Sequence, residues 1–397
     1  MQATQVLHKI MKKSASHLHK TRRQALETVV LSALEGRRLT VTDLGRSIRS
    51  GTTHKHQIKR ADRLLSNPYL HKEGFELYKQ LCHQLMGART RPIVLIDWSD
   101  MDDHKQHFIL RAALAVEGRA HTLYEEVHTL ATKEKRQTHK TFLHQLKVIL
   151  PQACRPVLVT DAGFRTMWFK QVQARGWDWV GRIRNRHDMR WEQGGPWFDA
   201  KKCYSRATSC PTFLGHGVLT QRHQLACQFI LYKGKAQGRH HKTRFGDRVQ
   251  CAHSRKIAMR EKEPWLLATS LPSTSTLAKA VVKYYKARMQ IEESFRDVKS
   301  HRFGLGLNYH RTQHAKRLQV LLLIATLALM VLWILGQAIR LAKRHYAFQA
   351  NSVRDRNVLS VIFIGIQMAQ QTRIKIPSYY MDKSWEQLRD SVIETSF

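Results

Sequence analysis

A chain of 397 residues with 43% hydrophobic content is long enough for two or three domains around a large core, which excludes a disordered protein. Its 67 Lys and Arg against 30 Asp and Glu leave a formal charge of +37. Such a chain repels itself unless it meets a polyanion, and nucleic acid is the usual one. Ribosomal and nucleoid-packing proteins are also basic but are rarely this long or this rich in core residues.

Residues 1–88 read as helices throughout. TRRQALETVVLSALEG (21–36) ends at a glycine, and VTDLGRSI (41–48) starts a new helix with Thr42 or Asp43 as the expected N-cap. A third helix, THKHQIKRADRLL (53–65), stops at Ser66-Asn67-Pro68. Ile58, Ala61 and Leu65 face inward while Lys55, Lys59 and Arg63 point outward. Residues 1–90 hold 17 Lys and Arg against 6 Asp and Glu. Three short helices with a basic outer face resemble a helix-turn-helix module, the competing reading being a plain helical bundle with a solvated basic face.

The period then changes. RPIVLIDWSD (91–100) is an apolar strand running into Asp97. QHFILRAALAVEG and RAHTLYEEVHTL alternate like strands around a turn at Gly118. The helix HKTFLHQLKVIL stops at Pro151, and RPVLVTDAGF (155–164) repeats the strand-to-acid theme at Asp161. A further helix, TMWFKQVQARG, leads to the strand WDWVGRIR. Strands and helices in this order, with acids at strand ends, are an α/β pattern whose ligands gather at the carboxyl ends of strands. Residues 185–262 differ: they are rich in Gly, Cys, His and cations, contain the strand candidate LACQFILYKG and the cationic run 233–248, and read as a β-rich insertion.

After PWLLATSL (264–271) comes YYKARMQIEESFRDVKS (284–300), which reads as one helix. At about 100° per residue Tyr285, Arg288, Glu292 and Lys299 fall within a roughly 60° arc, and Tyr284, Ala287, Ile291, Phe295 and Val298 form a core stripe. The uncharged run VLLLIATLALMVLWILG (320–336) is just short of a usual membrane span and is expected as a buried central helix. Six scattered cysteines and an N-terminus without an apolar signal core fit free thiols in a cytoplasmic setting. Cys203, Cys210, Cys251 and His253 lack the CxxC spacing of a zinc site.

Carboxylates are scarce here, so Asp97, Asp161 and Glu292 near bound polyanion need a counter-ion. A divalent metal with a preference for oxygen ligands is the economical one. Taken singly, Asp97 could be a turn former in a loop shared with Asp100, Asp102 and Asp103. Asp161 could start a turn, and Glu292 could be a surface ion pair beside Glu293 and Arg296.

The helix reproduces Y-x2-R-x3-E-x6-K without a gap at Tyr285, Arg288, Glu292 and Lys299. With VLIDWSD and VTDAGF in order ahead of it, the chain resembles the insertion-sequence-four (IS-four) family of bacterial DDE transposases, closest to its IS-ten type and similar to the longer Tn-five type. The resemblance covers essentially the whole chain. It implies a ribonuclease-H-like core with Asp97, Asp161 and Glu292 as catalytic ligands of Mg²⁺, for which Mn²⁺ substitutes. It also implies cut-and-paste transposition by nicking, hairpin formation, hairpin opening and strand transfer. The gap of 131 positions from Asp161 to Glu292 is explained in the family by a β-strand insertion. Tyr285, Arg288 and Lys299 would hold backbone phosphate, and Trp265 would stack on a flipped base, its plain alternative being a core aromatic; Trp98 reads as core or loop packing. The implied layout is an all-α DNA-binding domain over 1–88, core over 89–184, insertion over 185–262, core again over 263–310 and a helical C-terminal region over 311–397. Partners are double-stranded DNA, as terminal inverted repeats and target, and a second copy in a homodimer on paired ends. The expected location is the bacterial cytoplasm, at the nucleoid. Only 105 residues follow Glu292, so no dimer contacts carry over from the longer Tn-five type. The competing function is a catalytically silent, sequence-specific DNA-binding protein.

Overall fold

The structure is a computed structural model that describes residues 2–395 apart from 103–104, 185–186, 236–246, 250, 351, 354 and 371–373. Asp103 and most of the cationic run 233–248 therefore lie outside the described residues. The chain divides into two compact units, residues 1–154 with 289–394, and residues 155–288 with 395–397.

The first unit opens with α1 (Gln2–Ser14), α2 (Lys20–Gly36), α3 (Val41–Arg46), α4 (His54–Leu65) and α5 (Pro68–Met86). On α4, Ala61, Leu64 and Leu65 are buried and Ile58 half-buried, while Lys55, Lys59, Arg60 and Arg63 are exposed, as the 3.6-residue period dictates. Two local details differ from the sequence reading. The cap of α3 is Thr40, not Thr42 or Asp43. Its hydroxyl accepts the Asp43 N–H at 3.0 Å and donates to the Asp43 carboxylate at 2.7 Å, so Asp43 serves as the reciprocal partner inside the first turn. The left-handed residue that ends α2 is Arg37 (φ 54°), not the glycine before it, and its guanidinium donates to the carbonyls of His301 and Arg302. Gly45 is required where α3 meets α4, because a Cβ there would overlap the Ile58 backbone.

Strands β1 (Ile93–Asp100), β2 (His107–Leu114) and β3 (His121–Thr129) form an antiparallel set in the order β3-β2-β1, followed by α6 (Arg136–Ile149). The C-terminal part supplies α10 (Met289–Lys299), α11 (Ala315–Leu341), α12 (Val361–Gln370) and α13 (Ser378–Asp390). Past α13 the chain returns to the strands, bridging Val392 to Val116 and Glu394 to Pro92. Helix α11 contains the apolar run and, among the described residues, is the one helix long and apolar enough to cross a membrane. Of its most apolar window, 89% is buried inside the protein, against α1, α2, α5, α12, α13 and β3, so its hydrophobicity is satisfied as a core helix.

The second unit holds β4 (Val157–Thr160), α7 (Thr166–Gln173), β5 (Asp178–Ile183), β6 (Asp188–Trp191), β7 (Gly194–Asp199), a 3₁₀ turn (Ala200–Arg206), β8 (Thr212–Leu219), β9 (Leu225–Tyr232), α8 (Ala252–Glu261), β10 (Trp265–Thr269) and α9 (Leu277–Ala287). Strand order is β4-β5-β10-β9-β8-β6-β7, with β4 and β5 parallel around the α7 crossover and the other pairs antiparallel. The β-rich stretch thus continues the sheet through β9 and β10, and its strand candidate LACQFILYKG contains β9; its final residues form the helix α8.

The long helix of the sequence reading is two helices. Between α9 and α10, Arg288 keeps helical dihedrals, but its N–H bonds the Tyr285 carbonyl three residues back at 3.1 Å. Tightening to a 3₁₀ turn brings side chains i and i+3 over one another, and the Arg288 guanidinium lies 5.8 Å from the Tyr285 ring and hydrogen-bonds its side chain. The division into units falls immediately after Arg288.

Candidate active site

In the first unit, Asp97 sits inside β1 and not at its end as the sequence reading has it, because the ladder with β2 continues to Asp100. The strand changes there from buried (Ile93–Ile96) to half-buried (Asp97–Asp100), and the Asp97 Oδ1 accepts the Trp98 N–H at 2.8 Å. Side chains alternate along a strand, so Asp97 and Ser99 share a face. Lys299, in the last turn of α10, donates to Ser99 Oγ at 2.7 Å. That bond fastens α10 along β1. Glu292 lies seven residues earlier, in the first turn of the same helix, so it is exposed on nearly the same side as Lys299. Ser99 was missed by sequence reasoning, although the strand's period of two and its distance from Asp97 mark it as a residue of the same face.

Trp98 points the other way. Its indole N–H donates to His139 Nε2 at 3.3 Å and its ring packs 5.2 Å from His128, so it is packing, as expected. His139 is therefore neutral, with a pKa pushed down to about 4 by burial and by His128; His121 on β3 is pushed to about 3 by burial and by Arg119. Both folded values lie below the unfolded value of 6.5, so their contribution to stability is full above pH 6.5 and is lost as the pH falls through 6.5 towards 4. At pH 5 the loss is about 2 kcal/mol for His121 and less for half-buried His139. Urea midpoints measured at pH 7.5 and 5 should show it. His121→Phe, which keeps the aromatic contact with Trp333, should remove much of the slope.

In the second unit, Asp161 follows β4 directly and is half-buried, its Oδ1 accepting the Gly163 N–H at 2.8 Å in a tight turn. Tyr285, on α9, is buried. Burial raises its pKa, Arg288 and then Arg182 lower it, and Asp161 raises it, which places these charges around one phenol. Trp265, the first residue of β10, is half-buried with its ring edge-to-face on Tyr285 at 4.8 Å and 5.6 Å from the Tyr232 ring. Arg182 on β5, which the sequence reading did not single out, donates to the Pro264 carbonyl at 3.4 Å beside this group. Its signal is a single cation among the uncharged residues Trp179–Ile183.

The structure therefore brings Asp161, Trp265, Tyr285 and Arg288 together in one unit, and sets Asp97, Glu292 and Lys299 on adjacent elements of the other. Three carboxylates make a hard oxygen donor set suited in type to a divalent cation. Among the described residues, however, no three His, Cys, Asp or Glu side chains are gathered into a metal-holding group. The cysteines are free, with Cys210 and Cys251 exposed and Cys203 buried.

Residues 88–330 match the family described as the transposase DDE domain. The chain belongs to that family, which makes it a DNA-binding transposase, and its mixed α/β, mostly antiparallel strand arrangement agrees with a ribonuclease-H-like transposase core. No curated protein matches the sequence.

Proposed function

We propose that the protein excises its own insertion sequence and joins it to target DNA, as an IS-four enzyme of the IS-ten type. In this reading Asp97, Asp161 and Glu292 are the catalytic carboxylates and hold divalent cations, Mg²⁺ or Mn²⁺. The observation that carries it is the Lys299–Ser99 bond, which ties the helix bearing Glu292 to the strand face bearing Asp97. When bound, such ions would activate a hydroxyl and stabilise the leaving oxygen of a phosphodiester. The chain's own residues do the rest. Arg288 offers a two-pronged grip and Lys299 a point charge for phosphates flanking the reacting one. Tyr285 steadies Arg288 from a buried site, and half-exposed Trp265 offers an aromatic face to a base unstacked at a tight bend. One in-line geometry then serves nicking, attack of the freed 3′-hydroxyl on the opposite strand, hairpin opening and strand transfer. Helices α1–α5 would bind the terminal repeats, and two copies would pair the ends, within the bacterial cytoplasm at the nucleoid.

The test is an excision assay with purified protein, Mg²⁺ and a duplex carrying the element's own ends. Hairpin-ended fragments that vanish on chelation are expected. Trp265→Ala should leave nicking intact and reduce hairpin yield on the order of 10-fold, the equivalent of about 1–3 kcal/mol of lost stacking. A parent protein that shifts the duplex in a gel yet gives no metal-dependent product would overturn the reading in favour of a silent DNA-binding protein.

A further inference from the structure

Across the first unit's strands, Arg111 on β2 stands directly opposite both Asp97 on β1 and Glu125 on β3. The three residues form an acid–cation–acid row on one face. Arg111 is 1% exposed and Glu125 is fully buried. Arg111 donates to Glu125 Oε2 through Nε at 2.8 Å and Nη2 at 2.6 Å. Its third branch, Nη1, donates to Ser294 Oγ on α10 at 3.0 Å, and its guanidinium lies 4.4 Å from the Phe295 ring. Glu125 Oε1 accepts from Tyr78 of α5 at 3.1 Å and from Thr326 of α11 at 2.9 Å.

One buried ion pair thus binds the strands to three helices, and its contact on α10 comes two and three residues after Glu292. Burying an ion pair is a poor route to stability, since a well-packed apolar pair of similar volume often does as well or better. Its distinctive property is direction: a forked donor with defined partners sets both the rotation and the axial place of a helix, which apolar contacts leave looser. We propose that Arg111, held by Glu125, is a positioning residue for the reaction, fixing α10 so that Glu292 stands in register with Asp97. The proposal rests on the reading of Asp97 and Glu292 as catalytic carboxylates.

The experiment compares the parent with Arg111→Met/Glu125→Leu and with Arg111→Lys, each measured for thermal midpoint, affinity for the element ends, and cutting rate across a Mg²⁺ titration. The apolar double variant should keep its end affinity, lose a few degrees of thermal midpoint because the buried Tyr78 and Thr326 hydroxyls lose their acceptor, cut on the order of 10²-fold more slowly, and need several-fold more Mg²⁺ for half-maximal rate. Arg111→Lys keeps the charge and loses the fork. It too should shift the Mg²⁺ requirement upward, which keeps the proposal testable should the double variant fail to fold. A stable double variant, or a lysine variant, that cuts like the parent at limiting Mg²⁺ would overturn the role of Arg111 alone. Absence of metal-dependent cutting by the parent would instead count against the reading of the site itself.

Discussion

Asp161→Asn is expected to abolish DNA cutting, by on the order of 10³-fold or more, while leaving folding and end binding at the parent level. The local geometry makes this substitution a clean one. Asp161 uses Oδ1 to accept the Gly163 N–H, and an asparagine carbonyl oxygen keeps that bond while losing the negative charge. Asp97→Asn has the same property, because Oδ1 there accepts the Trp98 N–H, and Glu292→Gln changes an exposed side chain in the first turn of α10. Each variant should shift an end duplex across a salt series with the parent's slope, since phosphate contacts dominate that slope and none of these side chains is a cation. Cutting by any one of them at more than a tenth of the parent rate would remove that residue from the catalytic set.

Gly365→Ala is expected to unfold the first unit at temperatures where the parent is stable, with a loss of roughly 3 kcal/mol or more. A Cβ at Gly365 on α12 would overlap the Leu332 carbonyl of α11, and one at Gly336 on α11 would overlap the Val361 carbonyl of α12. The two backbones meet there with no room for a methyl group. Neither helix can move aside cheaply, since α11 is buried on nearly all sides. Total stabilities of domains are about 5–15 kcal/mol, so the loss is a large fraction of what is available. Gly51→Ala supplies the control: nothing lies within 4 Å of its added Cβ, and urea denaturation should show no loss. Parent-like unfolding of Gly365→Ala would mean that α11 and α12 do not pack through their glycines.

Several elements could be read straight from residue order. The alternation in residues 106–130, the acid-terminated apolar runs ending at Asp97 and Asp161, and the amphipathic α4 all follow from local period and side-chain chemistry. Even the apolar run of α11 was legible as core, because cations flank it and no second run accompanies it. Other features escaped for identifiable reasons. A capping residue depends on which hydroxyl the backbone happens to face, and both Thr40 and Thr42 carry the right group. The break at Arg288 has no glycine or proline to announce it; it arises from the tightened turn and the Arg288–Tyr285 contact.

By itself, the order of residues determined the charge that calls for a polyanion, the acids that follow apolar runs, the spacing Y-x2-R-x3-E-x6-K and the family to which the chain belongs, because these depend on composition and on neighbours along the chain. Only tertiary structure decided that Lys299 reaches Ser99 on the strand of Asp97, that the Tyr285 and Arg288 half of the signature belongs with Asp161 and Trp265, and that a buried Arg111–Glu125 pair grips α10. Those are contacts between residues up to 200 positions apart, as between Lys299 and Ser99. They are fixed by which faces must be buried together and by strand register, quantities that no local pattern encodes.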